Sequence, residues 1–258
     1  MQIKANGITF NCQVEGPEGA PWVVFSNSLA TNLSMWDEQA AALKQNFRVL
    51  RYDHRGHGAT EATDGRYNFE MLVDDVIGLF DALSIKRAHF VGLSMGGMTG
   101  LALTQRHPDR VEKLIACDCG PASSPASAQQ WEERIAIAEK DGMEPLVLAT
   151  AKRWFPPETP ESNPAFQKAC AMIRSTPVKG FIGCCGALAN YDLRPGLPEI
   201  KKPTLLIVGS KDAAIAGIKA INAGVPGSKI VELEGAGHIS NLEKPEAFTG
   251  ALQQFLSH

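Results

Sequence analysis

Ser94, Asp212 and His238 are the residues of this chain whose types and order could carry out nucleophilic acyl transfer. Ser94 stands in Gly92-Leu93-Ser94-Met95-Gly96, where the apolar run Ala88-His89-Phe90-Val91 gives way to a run of helical character. A serine at a strand-to-helix junction sits on a sharp turn that lifts its hydroxyl clear of the sheet, and flanking glycines let neighbouring backbone approach. A hydroxyl alone is a poor nucleophile. It needs a base, and the base needs an acid to orient it. His238 follows Gly235-Ala236-Gly237, in the loop after the β-rich run Lys229–Leu233, with little to pack against. Asp212 follows the apolar run Thr204–Gly209, which Pro203 introduces. Both residues are therefore expected at strand mouths.

Acyl transfer places negative charge on the former carbonyl oxygen, so preorganised backbone amides must face it. One is expected to be the N–H of Met95, the residue after the serine. The other is expected from the loop Ser26–Asn32 after the strand Trp22–Phe25, with Leu29 as the candidate and Ser28 as the alternative.

The elements that must hold these residues alternate in type. Ile8–Val14, Trp22–Phe25, Phe47–Tyr52, Ala88–Val91, Val111–Cys117, Thr204–Gly209 and Lys229–Leu233 read as strands. Between them, Trp36–Leu43 and Phe69–Leu83 have helical spacing; Leu72, Val73, Val76, Leu79, Phe80 and Leu83 fall on one face of the latter. Such alternation implies a mostly parallel sheet covered on both faces. The rhythm stops at residues 121–190, where helical runs such as Trp131–Lys140 and Pro145–Phe155 alternate with proline turns. We read 121–190 as a helical cap inserted into a core formed by 1–120 and 191–258. The cap should lie over the strand ends where open α/β sheets place their sites.

Composition sets bounds on partners. The chain has 258 residues, 44% hydrophobic and 21% charged, with a formal charge of −3 and no basic run. Nucleic acid and acidic membrane surfaces are not expected partners. The start of the chain has no apolar secretory core and no stretch approaches a membrane span, so the expected location is the cytoplasm. Six cysteines without zinc spacing read as buried thiols. The six histidines form no ligand cluster, and serine acyl transfer has no step that needs a metal or organic cofactor, so none is expected. The sequence leaves the oligomeric state open.

The whole chain resembles the α/β-hydrolases, and within them the 3-oxoadipate enol-lactonases of bacterial aromatic degradation. Phe25-Ser26-Asn27-Ser28-Leu29, Met35-Trp36-Asp37, Arg48–Asp53, Arg55-Gly56-His57-Gly58, His89–Ser94 and Gly235–His238 carry the likeness. The serine elbow and the Asp-x-Arg-Gly-x-Gly segment are widespread among α/β-hydrolases. The Ser-Asn-Ser-Leu stretch is more telling, because most relatives have His-Gly there. Ala30 departs from the glycine usual in the lactonases, and Ala213-Ala214-Ile215 departs from the commonest continuation after the acid.

The resemblance implies an eight-stranded, mostly parallel sheet with helices on both faces and an inserted helical cap. It also raises Asp118, after the sixth strand, as a rival to Asp212, because some members of the superfamily place their acid there. It implies a small anionic lactone as substrate, a butenolide bearing a carboxymethyl group, opened through a Ser94 acyl-enzyme. A carboxylate calls for a cation, ideally arginine. The cap offers Arg134, Arg153 and Arg174, and Arg134 is the choice, since it shares a helical face with Trp131. Trp131, Arg134 and Trp154 are thus the expected substrate-binding residues. Two rival readings use the same chain: a cofactor-free carboxylesterase or perhydrolase with the same triad, and a ligand-binding receptor on a hydrolase scaffold. A dehalogenase is disfavoured, since its chemistry needs a carboxylate where Ser94 stands.

Overall fold

The computed structural model describes residues 1–257. Strands β1 (Gln2–Ala5), β2 (Ile8–Glu15), β3 (Trp22–Ser26), β4 (Arg48–Tyr52), β5 (Ala88–Leu93), β6 (Val111–Cys117), β7 (Thr204–Gly209) and β8 (Lys229–Leu233) form one sheet. Their order is β1-β2-β4-β3-β5-β6-β7-β8. The pairs β1/β2 and β2/β4 are antiparallel, and every pair from β4/β3 to β7/β8 is parallel. All residues of β5 and β7 are buried, as expected of central strands covered on both faces.

Helices α1 (Asp37–Leu43), α2 (Phe69–Ala82), α3 (Met95–Arg106), α8 (Ile215–Gly224), α9 (Ser240–Glu243) and α10 (Pro245–Leu256) belong to the core, and α4 (Pro125–Asp141), α5 (Glu144–Trp154), α6 (Pro164–Ser175) and α7 (Val178–Ala189) lie between β6 and β7. Helices α1, α2, α3, α8 and α10 pack on strands of the sheet; α1 also packs with α10, and α2 with α3. Helix α2 starts where the Asn68 side chain accepts the Met71 N–H at 2.8 Å, and it buries Leu72, Val73, Val76, Leu79 and Phe80 as the spacing predicts. Helix α3 is rich in glycine, a poor helix former. Packing is what makes it helical: a Cβ on Gly100 would come 2.8 Å from the Phe90 ring. The small residues let the helix lie directly on β5.

Three differences from the sequence reading are informative. Strand β1 has only four residues and buries only Ile3 and Ala5, a pattern too short to stand out. Strand β5 runs two residues beyond Val91, up to the elbow itself. Residues 121–190 contain two further helices, α6 and α7, among the proline turns. Asn163 caps α6 with its side chain, accepting the Ala165 N–H at 2.9 Å.

The register of the parallel strands assembles the site. Ser26 pairs with Gly92, so the loop after β3 emerges beside the Ser94 turn. Gly209 pairs with Leu233, so Asp212 and His238 emerge side by side. Among the described residues, no helix is long and apolar enough to cross a membrane.

Candidate active site

Ser94 occupies φ 55°, ψ −115° between β5 and α3. A non-glycine residue in that region stores roughly 1–3 kcal/mol of strain. The surrounding glycines make the turn sterically possible. A Cβ on Gly92 would stand 2.1 Å from the Gly96 carbonyl oxygen, and one on Gly96 would stand 2.1 Å from that of Ser26. The strained turn brings the Ser94 hydroxyl 3.0 Å from Nε2 of His238. His238 Nδ1 lies 2.9 Å from Oδ2 of Asp212. Oδ1 of Asp212 accepts the Ala214 N–H at 3.1 Å. Burial alone would raise the Asp212 carboxyl, but the His238 charge and hydrogen bond outweigh it and hold the group below its ordinary value. An ionised Asp212 fixes the Nδ1–H tautomer of His238, which leaves Nε2 free to accept the serine proton.

Asp118 takes another place. Its Oδ1 accepts the Gly209 N–H at 2.9 Å, and its Oδ2 bonds the Ser240 hydroxyl. Complete burial, and then the neighbouring Asp212 charge, push its carboxyl well above the ordinary value. The carboxylate on the His238 ring is that of Asp212.

In the loop after β3, the three amides from Ser28 to Ala30 differ in their partners. The Ser28 N–H points at Sδ of Met35 at 3.4 Å, and the Ala30 N–H is bonded to Nε2 of His57 at 3.0 Å. Between them, the Leu29 N–H has no partner among the described residues, and neither has the Met95 N–H at the start of α3. A helix N-terminus also favours negative charge. These amides have the unspent donors that an oxyanion site requires.

Sequence reasoning passed over the residues that hold this loop. His57 and His54 are buried, and burial lowers them to about 4 and about 3 respectively. His54 Nε2 lies 3.0 Å from the Asn27 carbonyl oxygen, and Asp53 Oδ1 accepts the Leu33 N–H at 2.7 Å. The signal was present: two histidines in the Asp53–Gly58 segment that belong to no ligand cluster implied a structural use. Glu243 was also missed. Its Oε1 accepts the Gly237 N–H at 2.9 Å, next to His238.

A cavity of about 400 Å³ opens over Ser94 and His238. Its walls include Leu29 and Met98 of the core, and Trp131, Arg153, Trp154 and Leu188 of residues 121–190. Trp154 is buried, its ring centroid lies 6.2 Å from that of His238, and its carbonyl accepts the His238 N–H at 2.6 Å. The structure does not bring Arg134 to the cavity wall. Its guanidinium stacks on the Trp131 ring at 4.9 Å, because three residues along a helix place the two side chains on one face. Arg174 is paired with Glu144 at the surface, 2.7 Å apart. Among the described residues, no three His, Cys, Asp or Glu side chains cluster as a metal site would require.

A mostly parallel, doubly covered sheet with a serine elbow after its fifth strand defines the α/β-hydrolase class. A family model of the alpha/beta hydrolase fold matches residues 21–245, and the chain belongs to that family. Within it, the chain resembles the enol-lactonases. It is 37% identical over 254 residues to 3-oxoadipate enol-lactonase 2 of Acinetobacter baylyi, covering 97% of this chain and 94% of that protein. The solved enol-lactonase of Burkholderia xenovorans LB400 is 42% identical and matches with a TM-score of 0.95 over 100% of both chains. A thermophilic esterase from Thermogutta terrifontis, solved with malate bound, is 27% identical with a TM-score of 0.92, covering 100% of this chain and 97% of that one.

Proposed function

We propose that the protein is a serine hydrolase that opens a small carboxylate-bearing enol-lactone, 3-oxoadipate enol-lactone, to its keto acid in aromatic degradation. The observation that carries this reading is the unbroken chain of contacts from the Ser94 hydroxyl through His238 to Asp212. Ser94 Oγ attacks the acyl carbonyl as its proton passes to Nε2 of His238. Charge on the carbonyl oxygen is met by the N–H groups of Leu29 and Met95. The ring C–O bond breaks, and the leaving enolate takes the proton from His238 to become an enol, which tautomerises to a ketone. Water then attacks the acyl-enzyme, gives a proton to His238, and Ser94 recovers its own. An enolate leaves more readily than an alkoxide, so positioning and charge stabilisation remain the main tasks.

The full-length likeness to named enol-lactonases supports the substrate class. The malate held by the similar esterase shows a small dicarboxylate bound to a protein of this shape. In this reading residues 121–190 select the substrate, with Trp131, Arg134 and Trp154 as contributors. The test is turnover of the enol-lactone by the wild type and by Ser94→Ala. Loss of a triad residue costs several powers of ten. A folded Ser94→Ala variant that keeps a tenth of the wild-type rate would overturn the assignment. A wild type that hydrolyses simple aryl esters faster than the lactone would make the protein a general carboxylesterase.

A further inference from the structure

We propose that Arg153, at the end of α5, is the group that binds the carboxylate of the substrate. This deepens the proposed reading of the site and rests on it. Three observations point to Arg153. Among the described residues it is the one lysine or arginine on the wall of the cavity that holds Ser94 and His238. It makes no ion pair or hydrogen bond with any described residue, whereas its neighbour Lys152 is bonded to Glu161 at 2.8 Å and Arg174 to Glu144. Its guanidinium lies 5.7 Å from the centroid of the Trp131 ring, which holds the planar group without consuming its N–H donors. Arg153 is exposed to solvent, so its guanidinium can exchange water for a carboxylate, whose geometry its fork of five donors fits.

Arg134 rests on the same ring and is also unpaired among the described residues. Its burial lowers its proton affinity, because no carboxylate compensates the lost water. Two guanidinium groups on one indole therefore leave positive charge uncompensated beside the cavity. The ligand this arrangement fits is a small molecule with an acyl group at Ser94 and a carboxylate near Trp131. Of the two cations, only Arg153 reaches the wall.

The test uses succinate as probe and the Ser94→Ala protein as receptor, with binding read from the fluorescence of the tryptophans in the cavity wall. Succinate should bind, and Arg153→Gln in that background should weaken it about tenfold or more, since a charge-assisted bond of about 1.5–3 kcal/mol corresponds to that range. Arg153→Lys should lie between, since it keeps the charge but loses the fork. Arg134→Gln should weaken binding less than Arg153→Gln. Unchanged affinity in Arg153→Gln, or a larger loss at Arg134, would overturn the assignment. Because binding is measured without turnover, failure here is distinct from failure of the nucleophile assignment, which the activity of Ser94→Ala alone decides.

Discussion

The Ala30 N–H donates to Nε2 of His57 at 3.0 Å, and this bond fixes a left-handed residue, φ 56°, immediately after Leu29. His57 Nδ1 lies 3.2 Å from the Arg55 carbonyl oxygen, so the ring proton sits there and Nε2 is the acceptor. The amide of Leu29 is thereby aimed by a strained alanine on one side and by the Met35 sulfur on the other. Alanine at positive φ carries a steric cost that glycine does not. Ala30→Gly should raise stability by up to about 1 kcal/mol, a gain of roughly 2–4 °C in Tm for a chain of this size. Calorimetry checks this, and a lower Tm would show that the Ala30 methyl packs more than it strains.

The same bond predicts an acid limb. His57 must stay neutral to accept, and burial holds it near 4 in the fold against an ordinary 6.5. Between those values the unfolded chain binds a proton that the fold refuses, so stability falls as pH drops from about 6.5 to 4. One such proton gives a slope of about 1.4 kcal/mol per pH unit. His54, held near 3 by burial, adds a second over a wider window. Denaturant melts of the wild type and His57→Gln across this range should differ in slope by about one proton, by that linkage. Parallel curves would mean that His57 is protonated in the fold.

Glu243 should act with the opposite sign. Burial lifts its carboxyl from 4.5 to about 7. Between those values the fold binds a proton that the unfolded chain has released, so stability falls as pH rises through the window. Glu243→Gln keeps an oxygen for the Gly237 N–H and removes the titration. Its Tm should rise relative to wild type as pH goes from 5 to 8, by an amount corresponding to up to about 3 kcal/mol. A pH-independent difference between the two proteins would reject the shifted carboxyl.

Ser94→Gly should be inactive and yet more stable than the wild type. Glycine adopts φ 55°, ψ −115° without the steric cost that serine bears there. The relief of roughly 1–3 kcal/mol, less about 0.5–1 kcal/mol of added chain entropy, should leave a net gain of about 1 kcal/mol. Equal or lower stability in chemical denaturation would show that the elbow is not strained by its side chain.

Periodicity and junction chemistry made much of this molecule readable before its structure. The alternating runs mark seven of the eight strands, and the glycines around Ser94 mark the elbow, because both depend on local sterics. Strand β1 escaped because Gln2–Ala5 offers two buried residues and takes its stability from pairing with β2. The sequence favoured Arg134 over Arg153, because Arg134 shares a helical face with Trp131. Both stack on Trp131, and which of them faces the cavity depends on how α4 meets α5, a matter of tertiary packing. Glu243 was equally hidden, since four residues separate it from His238 and only the fold shows its oxygen on the Gly237 amide.

The His238 N–H bonded to the Trp154 carbonyl makes the last turn of α5 part of the support of the base. A Cβ on Gly237 would fall 2.3 Å from that same oxygen, so the two backbones touch with no side chain between them. Residues 121–190 are therefore not an interchangeable module. A chimera that grafts a relative's helices onto this sheet must deliver a carbonyl to the same point, or the imidazole loses its footing even though every triad residue is retained. Substitutions at Arg153 or Trp131, on the cavity wall, leave that support in place; substitutions at the seam where Trp154 meets Gly237 do not.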